Sequence, residues 1–370
     1  MNHIKYMKRA LELAEMGAIH ASPNPAVGAV LVKEGKIIGE GYHRGPGSLH
    51  AEIDAIDNSS ESLVGATLYS TMEPCVTMYK GKLQKPCTDR IISEKISQVI
   101  ISITDPNEYV NGKGIKKLQD AGIHVRTGIL TGQTKILNEI YIKNMEKSLP
   151  FVHLKIAQTL DGKIATKSKD SKWITDHDAR KDVHKLRSLY DSILIGVGTV
   201  EIDNPILTVR TENERSINRI VLDSRLSTPV TSLLLDDQNN NKTFIITGNK
   251  IDPKREKIFQ EKDITIIKLA LNQNDQISLK PLLEKLFSMG IKSILVEGGS
   301  KIFTSFIKEK LFDKISVYTA PIICGSGTNS VNDIGTEMMG DSVSLKCINL
   351  KTINNQFVLT GYREEICLQA

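Results

Sequence analysis

No stretch of the chain approaches the ~20 consecutive apolar residues that a bilayer-spanning helix needs. Its first residues are amphipathic (Ile4, Met7, Ala10, Leu11, Ala14) and lack the unbroken apolar core of an export signal. Low-complexity segments and internal repeats are absent, which excludes solenoids and fibrous arrays. Neither sign of charge dominates: 48 basic residues stand against 43 acidic ones, and the net +5 suits acidic, phosphorylated small ligands as well as RNA. Cysteines number only five, an odd count, so thiols that pack or bind metal are expected in place of a disulfide framework. That places the protein in a reducing compartment, by default the cytoplasm. What remains is an ordinary globular composition, 40% apolar and 25% charged, over 370 residues, a length comfortable for two domains.

The first half alternates helix and strand signals. A helix is expected from residue 4 to about 17, closing at Gly17, and Pro23-Asn24-Pro25 then leads into a buried strand, Val27 to Val32. Glu34-Gly35 turns the chain back along Lys36 to Tyr42 as a hairpin partner, and Gly45-Pro46-Gly47-Ser48 delivers His50 to the start of a helix. His50 and Glu52 fall about 200° apart around a helix axis, so they reach one small site only from its first turn. A strand from Ala66 to Thr71 ends at Met72-Glu73-Pro74-Cys75. Proline at a first helical position would put Cys75 at a helix N-terminus, where thiolate is favoured. Another helix is expected near Pro86-Cys87, then strands Gln98 to Ser102 and Ile123 to Val125 around a helix from Lys116 to Ala121. The sum is a mixed sheet covered by helices.

His50, Cys75 and Cys87 are the residue types that bind zinc, and Glu52 completes the His-x-Glu followed by Pro-Cys of zinc deaminases, although the two cysteines stand farther apart than in a Cys-x-x-Cys pair. A structural zinc wants four protein ligands. Three leave a position for water, so the chemistry expected is activation of water by one Zn2+.

At these residues the chain resembles a known family. Asn24 to Val32, Gly41-Tyr42-His43, His50-Ala51-Glu52 and Glu73-Pro74-Cys75 are similar to the deaminase half of the bifunctional riboflavin-biosynthesis deaminase/reductases. The resemblance implies a cytidine-deaminase-like mixed sheet with helices on both faces. It further implies His50, Cys75 and Cys87 as zinc ligands, Glu52 as catalytic proton carrier and Asn24 in the substrate cleft. The loop Val76 to Lys85 departs from the family's pattern, which keeps a drifted deaminase half as an alternative.

A helical pattern from Gly132 to about Lys147 stops at Ser148-Leu149-Pro150, giving residues 1–147 as the deaminase domain and 148–370 as a second domain. Phe151 to Ala157 reads as its first strand, followed by Leu160 to Ala165 as the next element. Trp173, the single tryptophan, would be a core anchor or a stacking platform. A helix from Asp178 to Tyr190 precedes the strand Ser192 to Gly196, whose glycine-rich end allows close ligand approach. Ser293 to Phe303 reads as a buried strand, the pair Gly298-Gly299, and a helix start that aims backbone N–H groups at an anion. It lacks the Gly-x-Gly-x-x-Gly fingerprint, so an ordinary Rossmann domain is not expected.

The same family's reductase half, dihydrofolate-reductase-like α/β in fold, carries these landmarks in this order, together with Asp203-Asn204-Pro205, Leu207-Thr208-Val209-Arg210 and Asp223-Ser224. That resemblance implies NADPH contacts from Ala157, Trp173, Thr199, Asp203 and Ser224. The turn Gly299, Ser300, Lys301, Ile302, Phe303, Thr304 and Ser305 would lie around its phosphates. Lys155, Ser171, Arg187, Leu207, Arg210 and Glu297 would face a phosphoribosyl pyrimidine. Cys324, Cys347 and Cys367 show no ligand spacing and read as packing residues. The expected partner is that small molecule, with no nucleic acid and no membrane; a homo-oligomer stays open. A nucleic-acid-editing deaminase is the remote alternative.

Overall fold

The computed structural model describes residues 2–76, 85–210 and 216–364. The interior of the loop expected to depart from the family, Thr77 to Gln84, and Cys367 lie outside the described residues. The chain forms two compact units that part between Ser148 and Leu149.

The first unit runs α1 (His3–Ala21), β1 (Gly28–Lys33), β2 (Lys36–Tyr42), α2 (Ala51–Asp57), β3 (Thr67–Met72), α3 (Cys87–Ser93), β4 (Gln98–Ile103), α4 (Lys113–Asp120), β5 (His124–Thr127), α5 (Thr131–Leu137) and α6 (Glu139–Lys147). Its sheet has the order β2-β1-β3-β4-β5, antiparallel on the β1 side and parallel from β3 to β5. Strand residues alternate between two cores, as a period of two requires. Leu31, Leu68, Val99 and Ile101 pack with Ala55, Ile91 and Leu118 on one face, while Val30, Val32, Tyr69 and Ile100 pack with Met7 and Ala10 on the other.

Three expectations are corrected in this unit. Gly17 does not close α1, which continues to Ala21. A Cβ at Gly17 would stand 2.2 Å from the His43 carbonyl oxygen, so the glycine serves close packing inside the helix. The single helix expected from Gly132 to Lys147 is two, broken at Asn138. That side chain turns away from the helix to bond both backbone groups of Ala26, accepting at 2.8 Å and donating at 3.0 Å. Cys75 follows β3 in an irregular segment, with no described helix starting at Pro74.

The second unit runs β6 (Phe151–Thr159), β7 (Lys163–Thr166), α7 (His177–Arg187), β8 (Ser192–Gly196), α8 (Val197–Asp203), β9 (Asn218–Leu222), β10 (Thr243–Thr247), α9 (Pro253–Glu261), β11 (Thr265–Lys268), α10 (Leu279–Ser288), β12 (Ser293–Gly298), α11 (Ser300–Lys308), β13 (Lys314–Ala320), β14 (Gly327–Asn329), β15 (Lys346–Ile353) and β16 (Gln356–Tyr362). Within the next segment, Leu160 to Ala165, Leu160 to Gly162 form a turn and β7 begins at Lys163.

Nine strands make one sheet in the order β11-β10-β9-β8-β12-β6-β13-β16-β15. It is parallel from β11 to β13, and only the pairings of β16 with β13 and with β15 are antiparallel. The central strands are apolar on both faces, which matches helices covering both. Chain direction across the sheet reverses around β12, which returns to lie between β8 and β6. In open α/β sheets such a reversal opens a ligand crevice at the carboxyl ends of the strands.

Candidate active sites

In the first unit the site is built by glycine, proline and strand ends. Gly41 lets α2 lie directly on β2, since a Cβ there would meet the Ala55 nitrogen at 2.3 Å and the Ala51 oxygen at 2.5 Å. Asp54 locks this contact, accepting the Tyr42 N–H at 3.0 Å and pairing with Arg44 at 2.8 Å. The helix therefore begins where His50, its N-cap residue, and Glu52 in its first turn both reach one point. Cys75 arrives from the end of β3 and Cys87 from the start of α3.

The three ligand atoms form a tight triangle. His50 Nδ1 lies 3.5 Å from Cys75 Sγ and 3.3 Å from Cys87 Sγ, and the two sulfurs are 3.4 Å apart. Tetrahedral zinc with bonds of ~2.0–2.3 Å sets its ligand atoms ~3.5 Å apart, so the donor set fits that ion in chemistry and in spacing. The Cys87 N–H points at Cys75 Sγ at 3.3 Å, a donor that favours thiolate. Glu52 is buried, and burial pushes its carboxyl above the ordinary range against the opposing influence of His50. A buried carboxyl beside such a donor set can carry a proton.

Asn24 sits against His43, whose Nε2 is 3.1 Å from the Asn24 side-chain nitrogen; His43 Nδ1 faces the Leu49 carbonyl at 3.1 Å. The histidine is thus neutral, donating through Nδ1 and accepting from Asn24, and burial holds its pKa down. His43, Asp54, Glu73 and Asp105 were not singled out from sequence as functional positions. His43 and Glu73 stood inside recognised motifs, whereas nothing local marks Asp54 or Asp105. Asp105 is pushed up to about 6 by burial, although the Asn107 N–H and the Tyr141 hydroxyl both donate to it.

In the second unit three groups of residues come together near the carboxyl ends of adjacent parallel strands. Glu297, on β12, accepts a two-pronged contact from Arg187 at 2.6 and 3.0 Å and lies 3.5 Å from Lys155 Nζ. Arg187 Nη1 also donates to the Thr208 carbonyl at 2.9 Å, so each of its three nitrogens has a protein partner. Burial would raise the Glu297 carboxyl, but Arg187 and Lys155 outweigh it and hold it at about 2.

Ser171 donates to Asp203 at 2.8 Å, and Lys172 Nζ donates to the Asp203 carbonyl at 3.1 Å, pinning the loop before Trp173 to the end of α8. Trp173 is 69% exposed with Arg180 stacked 4.3 Å over its ring, which removes the core-anchor reading. Gly298 and Gly299 form the third group with Thr199, whose hydroxyl lies 3.3 to 3.4 Å from where their Cβ atoms would be.

Behind that turn α11 begins at Ser300, and Ser300 Oγ is buried without a hydrogen-bond partner. A buried hydroxyl left unpaired at a helix start next to a glycine pair fits a phosphate-bearing cofactor. Lys301 to Ser305 continue along α11; Ile302 packs over Gly196, Phe303 enters the core, and the Thr304 and Ser305 hydroxyls bond back to their own helix. Ser224 follows β9 and Ala157 lies on β6. Leu207 is buried in a left-handed conformation, and Arg210 is exposed.

Comparison with known proteins bears on both units. Residues 1–103 match the family model described as the cytidine and deoxycytidylate deaminase zinc-binding region, and residues 150–359 match the RibD C-terminal domain. The chain is 41% identical to the riboflavin biosynthesis protein RibD of Aquifex aeolicus, covering 96% of each chain. Among solved structures, RibD of Acinetobacter baumannii superposes with a TM-score of 0.85 at 30% identity over 98% of this chain and 99% of that one. A diaminohydroxyphosphoribosylaminopyrimidine deaminase/5-amino-6-(5-phosphoribosylamino)uracil reductase from Thermotoga maritima gives 0.83 at 36% identity over 97% and 98%.

Proposed function

The chain belongs to the RibD family of bifunctional riboflavin-biosynthesis deaminase/reductases, and from that premise we propose which residues carry each half-reaction and on what substrate. The substrate is 2,5-diamino-6-(5-phosphoribosylamino)pyrimidin-4(3H)-one, deaminated by residues 1–147. Residues 148–370 then reduce its ribosyl group to ribityl, giving 5-amino-6-(5-phosphoribitylamino)uracil.

His50, Cys75 and Cys87 would hold one zinc ion, and the chemistry it would supply there is the acidification of water for attack on the ring carbon that bears the amino group. Glu52 takes the water's proton on its carboxylate and delivers one to the departing ammonia, a double role that its buried, raised carboxyl suits. Asn24, held by His43, orients the pyrimidine. The observation that carries this half is the triangle of ligand atoms with Glu52 buried beside it. It also weighs against a drifted deaminase, in which nothing would keep three donors within 3.5 Å of one another.

NADPH supplies the hydride for the second half. Gly299, Ser300 and the first turns of α11 take its phosphates, while Ala157, Trp173, Thr199, Asp203 and Ser224 contact the rest. Lys155, Ser171, Leu207, Arg210 and Glu297 bind the phosphoribosyl pyrimidine, with Arg187 holding Glu297 ionised and in place. Arg210, exposed and without a fixed carboxylate partner among the described residues, is the guanidinium left for the phosphate. A small-molecule enzyme of this kind needs neither membrane nor nucleic acid. No helix among the described residues is long and apolar enough to cross a membrane, and thiols at the metal site suit the cytoplasm.

The test is to assay both half-reactions separately on Glu52→Gln. Ammonia release from the diaminopyrimidine should fall by several orders of magnitude while zinc stays stoichiometric and NADPH oxidation by the deaminated substrate is unchanged. Loss of zinc in that variant would make Glu52 a ligand and sink the assignment.

A further inference from the structure

We propose that Glu73 is a positioning residue of the deaminase metal centre, whose carboxylate ties the end of β3 to the first turn of α4 and so fixes where Cys75 presents its sulfur. The inference rests on the reading of His50, Cys75 and Cys87 as zinc ligands.

Glu73 is only 3% exposed, and among the described residues no Lys, Arg or His forms an ion pair with it. Four backbone N–H groups take a cation's place. Gly114 and Ile115 donate to Oε1 at 2.9 and 3.1 Å, and Gly112 and Asp105 donate to Oε2 at 2.9 and 3.3 Å. Three of these donors belong to the start of α4, where N–H groups have no partner inside the helix and the dipole favours an anion. A carboxylate that gathers four donors is strongly held, and the Gly114 and Asp105 N–H groups would otherwise be buried and unsatisfied.

The backbone is shaped for this contact. A Cβ at Gly114 would stand 2.3 Å from the Pro74 carbonyl oxygen and 3.0 Å from Glu73 Oε1, so the helix start and the ligand-bearing segment can meet only if that residue is glycine. Glu73 N–H makes a sheet bond to the Ile103 carbonyl at 3.0 Å, and Pro74 has no N–H with which to hold the chain beyond it. Downstream, the Cys75 carbonyl accepts from the Thr88 N–H and hydroxyl, each at 3.2 Å. Cys75 therefore hangs between two anchors, the Glu73 carboxylate on α4 and Thr88 on α3. The Thr88 anchor fixes Cys75 relative to Cys87, and the Glu73 anchor fixes it relative to the sheet. Removing the latter should let one ligand wander from the other two, which for an outer partner of a metal site costs about 10–100-fold in affinity.

The experiment uses the full chain and the variant Glu73→Gln, which keeps the shape but turns an NH2 group toward two of the donors. Zinc affinity is measured by chelator competition, and the thermal midpoint of the first unit is recorded with and without zinc. NADPH oxidation serves as an internal control. Zinc should bind about 10–100-fold more weakly, and the midpoint gained on adding zinc should shrink accordingly, with the reductase rate unchanged. Equal zinc affinity in variant and wild type, with the midpoint lowered by the same amount in the apo and loaded forms, would reduce Glu73 to a fold anchor and overturn the proposal. If the glutamine variant does not fold, Glu73→Asp keeps the charge one methylene short; weakened zinc supports the proposal and wild-type affinity overturns it. Failure of the underlying metal reading shows separately, as wild-type protein that binds no stoichiometric zinc or a Cys87→Ser variant that still does.

Discussion

Glu52 and Glu297 are both buried carboxylates, one in each unit, and their surroundings drive them in opposite directions. Around Glu52 burial dominates, so the carboxyl rises. Around Glu297 burial acts in the same sense, but Arg187 in a two-pronged contact and Lys155 at 3.5 Å reverse it and the group falls to about 2. The difference assigns roles. A carboxyl that burial shifts toward its protonated form is suited to exchanging protons, whereas one held far below the ordinary range is a fixed acceptor and a fixed negative charge. Under the proposed function the first unit would use its glutamate as a participant, and the second would use its glutamate to orient what binds.

The sharpest way to break this comparison is Glu297→Ala. The substitution leaves Arg187 and Lys155 buried without their counter-charge, and breaking a buried pair in this way costs about 3–5 kcal/mol. Urea unfolding of the second unit should show a loss of that size, with reduction abolished and ammonia release retained. The same pair predicts an acid limit. Because the folded carboxyl lies below its ordinary 4.5, its contribution is complete above about pH 4.5 and is lost as pH falls toward 2. Glu297→Ala should flatten that part of the unit's pH–stability curve, and a curve unchanged in shape would mean that the ion pair contributes nothing.

A smaller effect is expected at Arg210, which has no part in the Glu297 cluster. Arg210→Ala should raise the KM for the phosphorylated pyrimidine about 10-fold, the worth of roughly one charge-assisted contact, and leave kcat and stability near wild type. An unchanged KM would remove Arg210 from the phosphate site and return that role to a rearranged Arg187.

The parts of the molecule that were legible in the sequence are those governed by local rules. Strand ends, glycine turns and the order of elements in the first unit follow from chain-local patterning, and residue type and spacing mark His50, Glu52, Cys75 and Cys87 as candidates. What could not be read depends on partners distant in sequence. Asn138 splits a helix because Ala26, far back in the chain, needs both of its hydrogen bonds. Gly17 looked like a helix stop because its real reason, the approach of the His43 carbonyl, is tertiary. Arg187 suggested a phosphate fork, and only the fold shows that its two-pronged contact goes to Glu297. Lone residue types suggest chemistry; whether their hydrogen-bonding capacity is still free is decided by packing.

Trp173 carries a small stability effect and separates the two units' strategies most finely. The first unit's Glu52 is buried, whereas Trp173 stands 69% exposed with Arg180 stacked on it, beside the loop pinned to Asp203. An exposed cation–π contact is worth about 0.5–1 kcal/mol, so Trp173→Ala should shift the second unit's unfolding free energy by no more than that. Were the tryptophan a core anchor, the loss would instead be about 3–5 kcal/mol. If the ring is kept outside the core in order to cover the cofactor, the same variant should raise the KM for NADPH several-fold with the KM for the pyrimidine unmoved. A variant with normal NADPH kinetics would leave Arg180 as the ring's whole purpose and reduce the contrast to the two carboxylates.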